Sequence, residues 1–149
     1  MTATTDRYRR PGFVTQHLAN PIMKGLARAG LSMKGSQVLA VRGRTSGEWR
    51  TVPVNPLDLG GHRYLVAPRG HTEWVRNIRV AGGGELRLGR KVQPIRVTEL
   101  ADADKPSIIR EYIARWKSEV GIFFEGLDET ATDEQLLAVA PGFPVFAVA

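Results

Sequence analysis

Val41-Arg42-Gly43-Arg44-Thr45-Ser46-Gly47-Glu48-Trp49-Arg50-Thr51-Val52-Pro53 is a polar, Gly-bearing turn set between two segments of strand character. Val38 to Val41 enters it and Trp49 to about Leu57 leaves it. The turn is too short for the crossover that parallel strands need, so the two strands pair antiparallel. Pro53 and Pro56 cannot donate ladder hydrogen bonds, which puts the outgoing strand at a sheet edge or at a bulge. Gly43 and Gly47 let the backbone come close to a ligand. Arg42, Arg44 and Arg50 add charge in the planar form that suits phosphate and carboxylate, and Thr45 and Ser46 add hydroxyls. Such a turn has the makings of an anion-holding hairpin. The competing reading is an ordinary hairpin, because exposed turns commonly carry Gly, Ser and Arg.

The chain on either side reads as a small antiparallel sheet with helices. Residues 1–12 are polar and end in Arg-Arg-Pro-Gly, the pattern of a flexible arm, and residues 13–149 are expected to form a single domain. Asn20-Pro21 resembles an N-cap with proline at the first helical position. Ile22, Met23, Leu26 and Ala27 then form one apolar face, and Gly30 ends the helix. Asp58-Leu59-Gly60-Gly61 is a turn, followed by a strand over Arg63 to Ala67. Pro68-Arg69-Gly70-His71 is a second polar loop. Thr72 is positioned to cap a short helix reaching about Val80, which Gly82-Gly83-Gly84 breaks. Glu85 to Leu88 and Lys91 to Leu100 read as a hairpin turning at Gly89-Arg90. Asp104 and Pro106 open the clearest helix, with Ile108, Ile109, Tyr112, Ile113 and Trp116 at helical spacing. Thr132 and Gln135 form a capping-box pattern ahead of Leu136, and Val145 to Val148 is the last strand. The expected architecture is α+β: an antiparallel sheet curled into a small barrel, flanked by helices.

Composition narrows the chemistry. The chain has 149 residues, with 21 Lys and Arg against 15 Asp and Glu, a formal net charge of +6. That balance favours an anionic partner, whether phosphorylated cofactor, nucleic acid or membrane surface. With no cysteine, disulfides, thiolate catalysis and Cys-based zinc sites are excluded. His17, His62 and His71 have no metal-like spacing, so no metal site is expected. No apolar run approaches the roughly 20 residues that span a bilayer. No apolar secretory core opens the chain, so a cytoplasmic location is expected. Lys24 and Arg28 make the Asn20–Gly30 helix basic and amphipathic, which leaves peripheral membrane association open.

Common catalytic patterns are missing. Gly-Arg-Thr-Ser-Gly lacks the lysine and spacing of a phosphate-binding Walker loop. No Gly-x-Gly-x-x-Gly follows a strand. Glu125, Asp128 and Glu129 read as a solvated acidic loop. Two ligand-facing loops remain. The first holds Arg44 to Arg50; the second runs from Ala67 to Gly70 into a helix bearing Trp74, Arg76 and Asn77. A helix start beside a Gly loop favours anions. Trp74 offers a face for a flat ring, or else core packing, and Asn77 offers an amide.

Gly43-Arg44-Thr45-Ser46-Gly47-x-x-Arg50-x-x-Pro53-Val54 resembles the Gly-Arg-Lys-Ser-Gly-x-x-Arg-x-x-Pro-Leu motif of the actinobacterial deazaflavin (coenzyme F-420)-dependent nitroreductase and quinone reductase family. Tyr64 to Gly70 with Trp74-Val75-Arg76-Asn77 looks like that family's second motif. Ala140 to Phe146 resembles the closing segment of one subgroup. The similarity runs from about residue 14 to the C-terminus. It implies a split β-barrel of flavin-reductase-like type, in agreement with the strand order, and coenzyme F-420, an 8-hydroxy-5-deazaflavin with a phospholactyl-oligoglutamate tail. It puts Arg44, Thr45, Ser46, Gly47 and Arg50 at the tail and phosphate. Val52, Pro53, Ala67, Pro68, Arg69 and Gly70 would lie along the ring and ribityl chain, with Trp74, Val75 and Asn77 lining the same groove. Two positions depart from the family pattern. Thr45 stands where lysine is frequent, which costs a cation unless Arg42 or Arg69 compensates, and Phe143 stands where histidine is frequent.

The implied reaction is hydride transfer from the reduced deazaflavin to an electron-poor small molecule: a quinone, an activated enone or a nitroaromatic. Tyr112 is a weak proton-donor candidate, since its apolar stripe favours a core role. The alternatives are a non-catalytic carrier of deazaflavin or lipid, and a flavin mononucleotide (FMN) enzyme on the same fold. Nucleic-acid binding is not expected, because the basic residues converge on two loops instead of forming a stripe with stacking aromatics. A homodimer and peripheral membrane contact through the N-terminal helix are left open.

Overall fold

The computed structural model describes residues 36–124 and 126–149, apart from the side chains of Ser118 and Glu119. The N-terminal arm, the Asn20–Gly30 helix and Glu125 lie outside the described residues. In chain order the elements are β1 (Gln37–Arg42), β2 (Trp49–Val54), β3 (Leu57–Leu59), β4 (His62–Val66), α1 (Glu73–Ala81), β5 (Gly83–Leu88), β6 (Lys91–Glu99), α2 (Pro106–Val120), α3 (Asp133–Val139) and β7 (Val145–Val148). Among the described residues β1–β2, β1–β5, β3–β4, β4–β7 and β5–β6 all pair antiparallel. Four strands precede α1, one more than the sequence suggested. Helices and strands do not alternate regularly, so the class is α+β.

The described chain divides into two compact units. One comprises residues 36–56, Glu73–Val97 and Ala149. Its strand order is β2-β1-β5-β6. β1 pairs with β2 from Gln37↔Val54 to Arg42↔Trp49, and β2 pairs with no other strand among the described residues. Pro53 therefore sits on an edge strand, where its missing N–H costs nothing. α1 packs on β1, β5 and β2. It buries Val75 and Ile78 with Val38, Leu39, Ala40, Val41, Leu86 and Ile95 of the strands. Thr72 stands just before α1, but its hydroxyl is buried without a hydrogen-bond partner, so it does not make the expected capping bond.

Gly83 and Gly84 do more than stop α1: they begin β5. A Cβ on Gly84 would lie 2.3 Å from the carbonyl oxygen of Ala40, and one on Gly83 would lie 2.2 Å from that of Ile95. The neighbouring backbones occupy the space that any side chain would take.

The other unit comprises Leu57–Thr72 and Thr98–Val148. Its strands are ordered β7-β4-β3. The segment read as turn from Asp58 divides into strand and turn. β3 pairs with β4 through Leu57↔Tyr64, Asp58↔Arg63 and Leu59↔His62. Gly60 and Gly61 alone make the turn, with φ of 60° and 80°, the both-positive pattern of a tight two-residue hairpin. Arg63 Nε donates to Asp58 Oδ1 at 2.7 Å, and that bond holds the Asp58 carboxyl below the usual carboxylate range.

The apolar stripe of α2 is the core of this unit. Ile108, Ile109, Tyr112, Ile113 and Trp116 are all buried, together with Phe124, Leu136, Phe143 and Val145. Tyr112 is 1% exposed and meets Phe124 edge to face. Phe143 stacks on Phe124 with ring centroids 4.5 Å apart. Tyr112 and Phe143 are thus both packed against Phe124 in this core. The capping box of α3 forms as expected, with Gln135 N donating to Thr132 Oγ1 and Thr132 N to Gln135 Oε1. Lys105 is buried, yet its Nζ is satisfied by the Ala140 carbonyl at 2.9 Å and Asp102 at 2.7 Å. Among the described residues no group of His, Asp or Glu is placed to hold a metal ion, and no helix is long and apolar enough to cross a membrane.

Candidate functional site

The β1–β2 connection closes on itself. Gly43 N donates to Glu48 O at 2.8 Å and Gly47 N to Gly43 O at 2.9 Å. Gly47 takes φ of 73°, a backbone state that glycine adopts without steric cost. Ser46 Oγ accepts from Glu48 N at 3.1 Å, so its own proton remains available to a ligand.

Beside this turn lies a cavity of about 260 Å³, lined by Gly43, Arg44, Thr45, Ser46, Arg50, Glu73 and Asn77. All seven belong to one unit. The turn supplies Gly43 to Ser46, β2 supplies Arg50, and α1 supplies Glu73 and Asn77. Arg44, Thr45, Ser46, Arg50 and Asn77 are thus brought together as the sequence suggested. Gly47, Val52, Pro53, Trp74 and Val75 belong to the same unit but do not line the cavity. Val75 is 0% exposed, within the core of this unit. Ala67, Pro68, Arg69 and Gly70 belong to the other unit. There Gly70 N donates to Ala67 O, and Ala67 N donates to Pro144 O.

Asn77 organises the cavity. It is 5% exposed. Its Oδ1 accepts from the Arg44 backbone N–H at 3.1 Å and from Arg44 Nη1 at 2.8 Å. With Oδ1 so taken, the amide's Nδ2 remains a donor. Arg44 Nη1 also donates to Glu73 Oε1 at 2.9 Å. One corner of the guanidinium is therefore held, while Nη2 and Nε make no hydrogen bond among the described residues. A pinned guanidinium loses little further freedom when it grips an oxyanion. Asn77→Ala is expected to cost about 1 kcal/mol, because the part-buried hydrogen bonds from the Arg44 N–H and Nη1 lose their acceptor. A denaturant titration checks this, and an unchanged midpoint would contradict it.

Glu73, the acid in the first turn of α1, is a site residue that the sequence reading did not single out. Its signal was spacing: residues four apart share a helix face, so Glu73 accompanies Asn77 into the cavity. Glu48 lies 3.8 Å from Arg50. Both cations lining the cavity thus have a carboxylate nearby. Arg42 does not line it. Its Nη1 donates to Gly47 O at 3.1 Å, and its guanidinium lies 4.1 Å from the centre of the Trp49 ring. Arg42 thus braces the hairpin from outside the cavity.

The donor set comprises two guanidinium groups, two hydroxyls and an amide, with no buried nucleophile. It suits an anionic group such as a phosphate or a carboxylate. A family model described as F420H(2)-dependent quinone reductase matches residues 12–121. Among solved structures the chain is similar to an F420-H2 dependent reductase (FDR-A), with 20% identity and a TM-score of 0.51 over 77% of this chain and 94% of that one. A structure described as a domain-swapped dimer has 18% identity and a TM-score of 0.55, covering 94% and 100%. A FAD-binding protein from Mesorhizobium loti has 14% identity and a TM-score of 0.51, covering 85% and 86%. No curated protein matches the chain. At such identities these likenesses speak for the fold alone, the α+β split barrel.

Proposed function

The chain belongs to the F420H(2)-dependent quinone reductase family and is an F420-dependent oxidoreductase; from that premise we propose that the Arg44–Asn77 cavity holds the phosphate and the adjoining carboxylates of the cofactor's tail. The observation that carries this reading is the cavity's donor set: Arg44 pinned by Asn77, with Arg50, Ser46 and Thr45 around the same space. When bound, the reduced deazaflavin supplies a hydride from C5. The protein's residues bind and orient. Arg44 offers its Nη2 and Nε edge, Arg50 adds long-range attraction, Ser46 donates its hydroxyl proton, and Asn77 Nδ2 adds a neutral donor. No side chain in the cavity needs to exchange a proton for this task.

The assignments of Gly47, Val52, Pro53, Trp74, Val75, Ala67, Pro68, Arg69 and Gly70 to the cofactor rest on the family resemblance. We propose a quinone as the acceptor, with activated enones and nitroaromatics as further electron-poor substrates. The likeness to a domain-swapped dimer supports a homodimer, which sedimentation would test.

The test of function is steady oxidation of reduced F420 against a panel of quinones, enones and nitroaromatics. Turnover is expected with quinones. Absence of turnover with every acceptor would overturn the reductase assignment in favour of a carrier. Arg50→Ala is expected to weaken F420 binding about three- to tenfold, because Arg50 is a largely exposed charge screened by solvent. The loss should shrink as salt rises. An unchanged dissociation constant at low salt would remove Arg50 from the site.

A further inference from the structure

A carboxylate inside an anion site is unexpected, and Glu73 is one. It lines the cavity with Arg44 and Arg50. Its Oε1 accepts from Arg44 Nη1 at 2.9 Å, and its side chain is 73% exposed. The hydrogen bond from Arg44, helped by the charges of Arg44 and Arg76, holds its carboxyl below the usual range. Glu73 is therefore ionised at neutral pH.

Two roles are available to such a group: orienting the arginine or tempering its charge. Orientation is already provided by Asn77, which is buried and grips both the Arg44 side chain and its backbone N–H. An exposed ion pair adds little rigidity to that. Its charge acts more strongly. Glu73 offsets Arg44 where an incoming anion would meet it, and a tethered carboxylate competes with every anion that arrives. Thr45 sharpens the effect, because it contributes no cation to restore the balance.

We propose that Glu73 sets the affinity of the site, a built-in competitor that keeps the grip on the cofactor's anionic arm weak and exchangeable. This inference rests on the proposed placement of that arm. Weak binding has a chemical use. A two-electron donor is spent after one hydride transfer and must leave, or be reduced again in place, before the next. A tempered Arg44 favours departure, so that a separate reaction able to reduce the deazaflavin recharges it elsewhere.

Glu73→Gln isolates the charge, because glutamine Oε1 can still accept from Arg44 Nη1. The experiment is a fluorescence titration of whole wild-type and E73Q protein with oxidised F420 and with the deazaflavin chromophore lacking its phosphate tail. E73Q is expected to bind F420 about three- to tenfold more tightly, in keeping with one exposed like charge removed. Its affinity for the tail-less chromophore is expected to stay unchanged. Glu73→Ala should act in the same direction. Equal or weaker binding of F420 by E73Q would overturn the inference and leave the placement of the tail standing. Equal tightening of both ligands would also overturn it, because the effect would then lie away from the anion. If neither protein binds F420, the placement of the tail fails and the inference fails with it.

Discussion

Gly84→Ala is expected to destabilise the protein by about 3 kcal/mol or more, the upper end of overpacking costs. The added Cβ would stand 2.3 Å from the Ala40 carbonyl oxygen. That atom belongs to the backbone of β1, which is paired on both sides, with β2 and β5. No rotamer change can relieve the contact. β1 and β5 must separate, and Leu39 and Leu86, paired across them and fully buried, lose packing. Gly60→Ala is the control: nothing lies within 4 Å of its Cβ position, and only the positive φ of 60° is strained. It should cost about 1 kcal/mol. Thermal melts of the two variants separate the causes. Similar shifts in both would contradict the close-approach account.

The largest binding effect is expected at Arg44. Arg44→Ala should weaken F420 binding about 10- to 100-fold, the loss of a charge-assisted pair of hydrogen bonds in a pre-organised site. The fold should survive, because the backbone N–H of residue 44 keeps its bond to Asn77 Oδ1 and the exposed Glu73 carboxylate returns to water. Arg44→Lys should recover only part of the loss, since lysine is a point charge without the fork. A dissociation constant within threefold of wild type for Arg44→Ala, at low salt and with an unchanged melt, would take the anionic arm out of this cavity.

The sequence was most readable where local chemistry and tertiary packing agree. Ile108, Ile109, Tyr112, Ile113 and Trp116 announce α2 by their period, and the same period buries them. Thr132 and Gln135 cap α3 with the bonds their spacing calls for. The Arg44 turn was legible because its glycines, hydroxyls and arginines are adjacent in the chain. What was less legible depends on distant partners. Leu57-Asp58-Leu59 is too short to show alternation, and becomes a strand through β4 and the Asp58–Arg63 pair. Gly83 and Gly84 read as a helix stop because nothing local shows that Ile95 and Ala40 crowd them. Thr72 has the composition of a cap, yet its hydroxyl makes no bond.

The site shows the same division. Arg42 and Arg44 look alike in sequence, but Arg42 stacks on Trp49 while Arg44 turns to Asn77. Only the fold distinguishes the arginine that braces the hairpin from the one that faces the cavity. Glu73 was hidden for a related reason: a first-turn acid is favourable at any helix start, so only its four-residue spacing from Asn77 pointed to the cavity.

The most direct test is a pair of fluorescence titrations at one ionic strength, with oxidised F420 and with FMN. FMN carries a phosphate but no carboxylate tail, so it asks whether the cavity recognises the whole anionic arm. The account predicts saturable binding of F420 and much weaker binding of FMN, with Arg44→Ala erasing most of the difference. Equal affinity of the wild-type protein for the two would contradict it.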